Sequence, residues 1–292
     1  MVGPTAAGKS ALAMEVARRR GAVIFSVDSM QAYRGMDIGT AKPSSADRAE
    51  IPHELIDIAE PEVDLSVEVF QRIAVDRIGA HDRPIVVVGG SGLHFRSIVD
   101  PLTFAPHDPA VRAALTELEA GEAVDRLLAA DPDAGAQIDL MNPRRVVRAL
   151  EVFELTGMGP SQRAGMPEAV AVREYRALRP FVGVGIDPGD GLVARIDARV
   201  DAMIDAGLTE EVEGLAGRLG RNASRAVGYA ELLDVIEGRT TFDQAVEAIR
   251  VNTFRLAKRQ RTWFRRDPRI SWLPGGIDLE AAVTYCLERW RP

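Results

Sequence analysis

The sequence has a single cysteine, Cys286, among its 292 residues. One cysteine cannot form an internal disulfide, and it excludes a zinc site built from several cysteines, so a reducing cytoplasmic location is expected. No apolar run approaches the roughly 18 residues that a transmembrane helix needs. No charged-then-apolar leader opens the chain, so neither a secretion signal nor a membrane partner is expected.

Composition and charge allow a globular protein that binds a polyanion locally. Apolar residues make up 46% and charged residues 27% of the chain, which is ordinary for a globular protein, and the length allows about two domains. The net charge of −7 at first argues against a nucleic-acid partner. However, residues 250–269 contain eight arginines and lysines and one acid, whereas residues 187–213 contain eight acids and two arginines. The basic block is compatible with a localised polyanion site.

The clearest motif lies at the start of the chain and matches G-x-x-x-x-G-K-[ST] at every fixed position. Its residues are Gly3, Pro4, Thr5, Ala6, Ala7, Gly8, Lys9 and Ser10. In such a loop the glycines let backbone amides turn toward one anion, the lysine adds a positive charge, and the hydroxyl can hold Mg²⁺. The helical pattern that follows directs its positive end to the same place. By itself the motif is typical of ATP or GTP binding.

Three continuous apolar runs predict buried parallel strands, at residues 22–27, 84–88 and 181–186. With the helical patterns between them, they indicate an α/β core that has helices on both faces. Ligands of such sheets bind at the carboxyl ends of strands, so we expect Asp28, residues 89–91 and the phosphate loop to lie close together. Only Met1 and Val2 precede the loop, so either the preceding strand is nearly missing or the natural start lies upstream.

The middle of the chain reads as a helical insertion. The pairs Asp108-Pro109 and Asn142-Pro143 are helix-start signals, and strand signals are absent from about 107 to 170. We therefore expect a catalytic α/β core over residues 1–106 and 171–292, and an insertion domain over residues 107–170. The segment 157–162 reads as a loop. The last third is helical, with an apolar stripe that predicts a core position for Trp263.

Asp28 follows the first long strand directly and is a candidate general base, or a ligand that reaches a metal through water. The alternative is a helix-capping aspartate. Kinases and nucleotide hydrolases with this loop usually carry an acidic Mg²⁺ ligand at the end of a second strand, whereas the run ending at Val88 is followed by Gly89 and Gly90. This weakens a kinase interpretation.

These segments, together with others in the same order along the chain, resemble the bacterial tRNA dimethylallyltransferases, or tRNA isopentenyltransferases. The resemblance runs almost end to end. It covers the phosphate loop and residues 28–31, 37–43, 89–93, 145–152, 156–157, 195–200, 228–229 and 257–264. Each segment is a weak signal alone, but their number and order make the match specific.

The resemblance implies a P-loop NTPase-like fold, with a parallel sheet core, a helical insertion and a helical C-terminal part. It implies transfer of a dimethylallyl group from dimethylallyl diphosphate to the exocyclic amine of adenosine 37, beside the anticodon, in tRNAs reading codons that begin with U. Diphosphate would be released, with Mg²⁺ as cofactor held by Ser10 and through water by Asp28. The matching catalytic residues are Asp28 as base, Arg195 as a clamp on the diphosphate, and Ser91, which stands where threonine is usual. His94 stands where tyrosine is usual, and a structural role is expected for it.

The resemblance also implies a binding surface for the tRNA anticodon stem-loop on a monomeric protein. The matching positions are Asp28, Ser29, Met30, Gln31, Ser91, Arg112, Arg144, Arg145, Arg148, Arg225, Gly228 and Tyr229. For Gln31 the implied role is a contact with the adenine. For the exposed arginines, the alternative is an ordinary solvated face.

Three other functions remain open from the residues. An adenylate isopentenyltransferase would use the same donor with free AMP as acceptor, but it needs neither the insertion nor the arginine clusters. A P-loop kinase of a small metabolite would need the missing strand-end acid. A non-catalytic RNA-binding protein would not need the phosphate loop beside Asp28.

Overall fold

The computed structural model describes residues 1–290. Two compact units are present: unit 1 contains Met1–Ile98 and the chain from Pro180 onward, and unit 2 contains Val99–Arg179. Unit 2 is wider at both ends than the insertion over 107–170 expected from the sequence. The amide of Leu178 donates a hydrogen bond of 2.8 Å to the carbonyl of Val99, so the two ends of unit 2 are tied to each other.

Unit 1 is built on short parallel strands. Those of the described chain are β1 (Val23–Ser26), β2 (His53–Glu54), β3 (Ile85–Val88), β4 (Gly183–Ile186) and β5 (Ile270–Leu273). They form one sheet in the order β2-β1-β3 and a second with β4 beside β5, and every pair is parallel. The three apolar runs thus form strands as predicted, each shorter than its run.

Val2 connects the two sheets. It forms single parallel bridges to Gly89, just after β3, and to Gly185 in β4. Its amide donates to the carbonyl of Val184 at 2.8 Å. The strand that normally precedes a phosphate loop is thus represented here by one bridging residue, and the loop follows it directly.

Helices make up most of the remaining structure. Those of residues 1–290 are α1 (Lys9–Arg20), α2 (Ser45–Glu50), α3 (Val67–Gly79), α4 (Gly92–Val99), α5 (Pro109–Thr116), α6 (Ala120–Ala130), α7 (Pro143–Thr156), α8 (Pro160–Ala164), α9 (Pro167–Arg173), α10 (Leu192–Asp205), α11 (Leu208–Leu215), α12 (Tyr229–Ile236), α13 (Phe242–Arg265) and α14 (Leu279–Arg289). The buried Leu12 and Val16 of α1 pack in one core with Ile24, Val86 and Val184 of the strands.

Unit 2 consists of helices and loops and contains no strand over its described residues, as the missing strand signals predicted. Asn142 caps α7 through the amide of Arg145, Pro143 occupies the first turn, and Gly157 ends the helix at φ +71°. One expectation for this region is wrong: the segment 157–162 is not all loop, because α8 begins at Pro160. Proline suits the first turn of a helix, where its missing N–H has no partner to lose.

The core position expected for Trp263 is also wrong. Its side chain is 45% exposed, although it packs closely against Gly92. The buried face of α13 runs instead through Ile249, Ala257 and Phe264. Adjacent helical residues point about 100° apart, so the burial of Phe264 turns its neighbour Trp263 toward the surface.

Across residues 1–290, no helix is both long enough and apolar enough to cross a membrane.

Candidate active site

The candidate site of unit 1 lies at the carboxyl ends of β1 and β3, next to the phosphate loop. The amide of Ser91, after β3, donates to the carbonyl of Val27, after β1, at 3.3 Å. Asp28 and Thr5 line one cavity, and the charge of Asp28 acts on Lys9. The structure thus brings together the phosphate loop and the residues that follow β1 and β3, as the strand-end argument predicted.

Glycine is required at two positions of the phosphate loop. Gly3 has φ +138°, and a Cβ there would lie 2.9 Å from the carbonyl oxygen of Ile186. Gly8 has φ +88° and immediately precedes α1. Side chains rarely adopt these backbone angles, so both glycines allow the loop to wrap around the start of the helix.

Lys9 is folded back into this loop. Its Nζ donates to the carbonyl of Pro4 at 2.6 Å. Burial lowers the pKa of Lys9 to about 8, although the negative charge of Asp28 opposes this effect. A buried ammonium with a single carbonyl partner is well placed to pair with an anion that enters the loop.

Two distant helices hold the loop in place. Gln260 on α13 accepts a hydrogen bond from the Thr5 amide at 2.8 Å. Arg195 on α10 donates from Nε to the carbonyl of Ala6 at 2.9 Å, and its Nη2 donates to the carbonyl of Pro188. The structure therefore places Arg195 directly against the phosphate loop. Sequence reasoning gave Gln260 no role, since a contact between residues 5 and 260 leaves no local pattern.

Asp28 is partly exposed at the edge of the cavity. One of its carboxylate oxygens accepts a hydrogen bond from the Met30 amide at 3.0 Å, and its own amide donates to Ser26 Oγ at 3.3 Å. The bond from Met30 orients the carboxylate within a turn. The helix-capping alternative for Asp28 is wrong, because the next helix, α2, begins only at Ser45. Ser29, between Asp28 and Met30, is partly exposed beside it.

Arg199 is a site residue that sequence reasoning missed. Burial lowers its pKa, and the charge of Asp28 opposes this. It lines the same cavity as Asp28. The spacing of Arg195 and Arg199 on α10 was an available signal, because residues four apart share one face of a helix.

The cavity beside Asp28 has a volume of about 90 Å³. Much of its lining is apolar, and Asp28, Arg199 and Gln260 are among its polar residues. The other lining residues are Thr5, Met30, Gly39, Thr40, Val200, Met203, Leu208, Ala226, Val227, Gly228, Tyr229, Ile249, Thr253 and Leu256.

Gln31 has both ends of its side-chain amide engaged within the protein. Its Nε2 donates to the carbonyls of Thr40 and Ala41 at 3.1 and 3.2 Å. Its Oε1 accepts from Ser26 Oγ at 2.8 Å. In this arrangement Gln31 holds the segment around Thr40, and both of its N–H donors are already used.

Glu211 on α11 fixes the neighbouring segment. Its carboxylate accepts hydrogen bonds from the amides of Asp37, Ile38 and Gly39 at 2.9, 2.8 and 3.2 Å. The hydroxyl of Tyr229 donates to the same carboxylate. Burial, and then the contact with Glu211, raise the pKa of Tyr229.

The three residues around Tyr229 that the resemblance assigned to tRNA differ in accessibility. Tyr229 is fully buried. Gly228 is buried too, with φ +96° and its amide bonded to Glu231. Arg225 is exposed. Of these three, Arg225 is the one that an RNA can reach from solvent.

Ser91 and His94 form a pair beside Asp28. Ser91 Oγ lies 2.7 Å from His94 Nδ1. His94 is buried against Phe70, with the two rings edge to face at 4.6 Å between centroids. Burial lowers the pKa of His94 to about 4, although the charge of Asp28 opposes this.

Unit 2 carries the arginine cluster. A groove of about 770 Å³ is lined by Arg112, Gln137, Ile138, Asn142, Arg144, Arg145, Arg148, Ala149, Val152, Met158, Pro160, Arg163, Ala164 and Ala169. Arg144 and Arg145 are exposed, whereas Arg112 and Arg148 are only partly so.

Arg112 and Arg148 are tied to a buried carboxylate, Glu151. Arg112 Nη2 and Arg148 Nη1 each approach Glu151 Oε2 at 2.6 Å. Burial alone would raise the pKa of Glu151, but the hydrogen bonds from Arg148, His107, the Asp108 amide and Arg112 lower it to about 2. These two arginines therefore stabilise unit 2, in addition to any contact that they make with RNA.

The residues suit a Mg²⁺ ion shared with a bound phosphate. Ser10 is exposed on the first turn of α1, and the charge of Asp28 reaches the neighbouring Lys9. Within residues 1–290, no group of three or more His, Cys, Asp or Glu side chains could hold a metal by itself. Mg²⁺ is usually bound by one or two protein oxygens together with phosphate oxygens and water, so Ser10 and Asp28 fit it.

A parallel α/β core with this phosphate loop defines a P-loop NTPase-like protein. Comparison with known families refines this class. The model of the IPP transferase family matches residues 31–267, and that of the isopentenyl transferase family matches residues 1–57. A tRNA dimethylallyltransferase of Bifidobacterium longum (strain NCC 2705) is 45% identical over 287 residues, which are 94% of this chain and 85% of the relative.

Solved structures agree with this. The tRNA delta(2)-isopentenylpyrophosphate transferase of Staphylococcus epidermidis is 32% identical with a TM-score of 0.71, over 99% of this chain and 96% of that one. A eukaryotic dimethylallyltransferase acting on tRNA shares the fold, with a TM-score of 0.79 and 23% identity, over 99% of this chain and 76% of its own.

The chain therefore belongs to the IPP transferase family. It is an enzyme of the tRNA dimethylallyltransferase type, a prenyltransferase that modifies tRNA, as the resemblance of its motifs implied.

Proposed function

We propose that the enzyme transfers a dimethylallyl group from dimethylallyl diphosphate to the exocyclic amine of adenosine 37 in tRNAs that read codons beginning with U. The bond between the allylic carbon and the diphosphate oxygen breaks, and a bond from the same carbon to the amine nitrogen forms. The amine loses one proton, and diphosphate leaves. The convergence of Lys9, Arg195, Arg199 and Asp28 on one phosphate loop supports this chemistry most strongly.

The diphosphate end of the donor binds at the loop. The amides of the loop and the Lys9 ammonium receive its negative charge, and Arg195 and Arg199 approach from α10. Preorganised donors of this kind stabilise the charge that develops on a leaving group. A bound Mg²⁺, held by Ser10 and through water by Asp28, would neutralise further charge on the diphosphate.

The hydrocarbon end of the donor occupies the 90 Å³ cavity beside Asp28. Thr5 of the phosphate loop and apolar side chains such as Leu256 line the same cavity. An allylic group there loses contact with water, which protects its reactive carbon from hydrolysis.

Asp28 acts as the general base. The lone pair of an adenine amine is delocalised into the ring, so removing its proton during attack increases its reactivity. Ser91, on the adjoining strand end, provides a hydroxyl for the same amine. A positioned base contributes about 10²–10⁴ in rate.

The anticodon stem-loop contacts the basic side chains. In unit 2 the exposed Arg144 and Arg145 border the arginine groove, and in unit 1 Arg225 is exposed. Such contacts to phosphates position an RNA without reading its sequence. The target base turns out of its stack at a cost of a few kcal/mol. We further propose that the enzyme works as a cytoplasmic monomer.

Label transfer tests the proposal. Purified enzyme is incubated with radiolabelled dimethylallyl diphosphate, Mg²⁺ and either undermodified tRNA or AMP. Label on adenosine 37 of tRNA is the expected result. Label on AMP alone would overturn the choice of acceptor, and ATP consumption without label transfer would overturn the choice of reaction.

Asp28→Asn tests the base in the same assay. The amide oxygen can still accept the hydrogen bond from Met30, so tRNA binding is retained while turnover falls about 10²–10⁴-fold. Asp76→Asn, at an exposed position of α3, is the matched control. Normal turnover of Asp28→Asn would remove Asp28 from the mechanism.

A further inference from the structure

The Ser91–His94 pair joins the residue that precedes α4 to the first turn of that helix. Ser91 precedes α4 directly, and His94 lies one helical turn later. Their side chains meet at 2.7 Å, while the His94 main-chain carbonyl accepts a hydrogen bond from Ser97 Oγ at 2.8 Å. His94 is thus held at both its ring and its backbone.

A buried neutral imidazole has one nitrogen that donates and one that accepts. The burial of His94 and its contact with Phe70 favour the neutral ring. If Nδ1 carries no proton, it accepts the hydrogen of the Ser91 hydroxyl. The remaining lone pairs of Ser91 Oγ then point away from His94.

The Ser91 hydroxyl would otherwise be a free rotor. A threonine hydroxyl is restricted by its methyl group, but a serine hydroxyl rotates among three staggered positions. Ser91 is also close to the proposed base, since its amide bonds to the carbonyl of Val27 and Asp28 is the next residue. A fixed direction for its lone pairs therefore matters to the amine that meets Asp28.

We infer that His94 is a positioning residue: its Nδ1 accepts a hydrogen bond from the Ser91 hydroxyl, so that Ser91 Oγ accepts a hydrogen bond from one N–H of the substrate amine while Asp28 accepts one from the other. This inference rests on the proposed transfer to an adenosine amine. His94 itself touches Ser91 and does not touch the reacting atoms.

A double-mutant cycle tests the inference. His94→Phe keeps an aromatic ring beside Phe70 and removes the acceptor, so kcat with saturating donor falls about tenfold, the scale of one hydrogen bond. His94→Asn supplies an oxygen near the position of Nδ1 and restores kcat to within about threefold of the wild type. Ser91→Ala lowers kcat by about the same factor as His94→Phe.

The combined variant separates positioning from folding. In Ser91→Ala, the further change His94→Phe has no additional effect on kcat, because its partner is already gone. The KM for dimethylallyl diphosphate stays within about twofold in all four proteins. Three results would overturn the inference. The two single substitutions could lower kcat by factors that multiply in the combined variant, His94→Asn could fail to restore kcat, or the substitutions could act mainly on the KM for dimethylallyl diphosphate.

Nitrogen NMR of the free enzyme gives a readout independent of activity. The protein has four histidines, so His94→Phe assigns the His94 signals in a sample labelled with ¹⁵N-histidine. An unprotonated Nδ1 is expected at neutral pH, and a protonated Nδ1 would overturn the inference.

The two hypotheses fail differently. A wild-type enzyme that transfers no label to tRNA would overturn the proposed function and with it the role of His94. A wild-type enzyme that transfers label, with independent effects at Ser91 and His94, would overturn the inference alone.

Discussion

The Oε1 atom of Gln260 accepts a hydrogen bond of 2.8 Å from the backbone amide of Thr5. This bond attaches α13 to the phosphate loop, although the two residues are 255 positions apart in the sequence. The side chain of Gln260 also packs against Gly90, where an added Cβ would lie 2.4 Å from its Nε2. One glutamine thus contacts both the loop and the turn after β3.

Gln260→Ala is expected to weaken donor binding. The Thr5 amide loses its partner, and leaving a partly buried donor unpaired costs about 1–3 kcal/mol, so the KM for dimethylallyl diphosphate rises about tenfold. Steady-state kinetics at saturating tRNA measure this. Thr262→Ala, exposed on the same helix, is the control and leaves the KM unchanged. An unchanged KM in Gln260→Ala would show that the loop holds its shape without α13.

The lowered pKa of Lys9 predicts an alkaline limit to donor capture. Lys9 is charged below its pKa of about 8 and neutral above it, so kcat/KM for the diphosphate falls as the pH rises through about 8. In Lys9→Arg the charge persists, and this fall disappears even if the activity is lower. A fall at the same pH in Lys9→Arg would assign the titration to another group.

The lowered pKa of Glu151 predicts that unit 2 loses stability in acid. Its pKa is lowered from 4.5 to about 2 by folding, so the stability that it contributes is complete above about pH 4.5 and is lost as the pH falls toward 2. Amide hydrogen exchange in α7, measured along a pH series in the full chain and corrected for intrinsic rates, reports this loss.

Glu151→Gln should lower the stability of unit 2 at neutral pH by about 3 kcal/mol and remove this share of the acid dependence, because it leaves Arg112 and Arg148 without their shared carboxylate. Glu154, on α7 like Glu151, forms a more exposed pair with Arg126 of α6, so Glu154→Gln changes stability little. Equal effects of the two substitutions would contradict the structural role of Glu151.

Arg144 and Arg145 are expected to contribute salt-dependent RNA binding. Each charge removed from a phosphate contact lowers the slope of log K against log salt by about 1, so the double alanine variant loses about 2. Binding of undermodified tRNA over a salt series measures this slope. Arg176→Ala, an exposed arginine of unit 2 outside the groove, leaves it unchanged. A wild-type slope in the double variant would mean that neither residue contacts the RNA.

Local signals in the sequence predicted much of this architecture. Apolar runs located β1, β3 and β4, and the Asn142-Pro143 pair located the start of α7, because strand burial and helix capping depend on neighbouring residues. Two strands were missed. The strand β2 has only two residues, which form no pattern, and β5 lies in the last third of the chain, which was expected to be helical. Trp263 was wrongly assigned to the core because the apolar stripe read from the sequence ends at Trp263, whereas the helix face that is buried at this end of α13 carries Phe264.

The site residues also fall into those that local motifs identify and those that only the folded structure reveals. The phosphate loop and the residues after β1 are contiguous motifs, so the sequence located Lys9 and Asp28. Gln260 and Glu211 act through contacts made only after folding, and no spacing within their own helices identifies their partners. The adenine contact implied for Gln31 stays a prediction, while folding gives its amide bonds to Ser26, Thr40 and Ala41 that no local pattern indicated.

The contact between Glu211 and the segment Asp37–Gly39 affects how the protein folds during its synthesis. The segment Asp37–Gly39 leaves the ribosome long before α11, and unit 2 is synthesised between the two. The three amides that donate to Glu211 therefore lack this partner while about three fifths of the chain is added. The segment 37–39 and the phosphate loop thus precede by far the two helices that fix them, α11 and α13, and neither can reach its final bonding until those helices have been made.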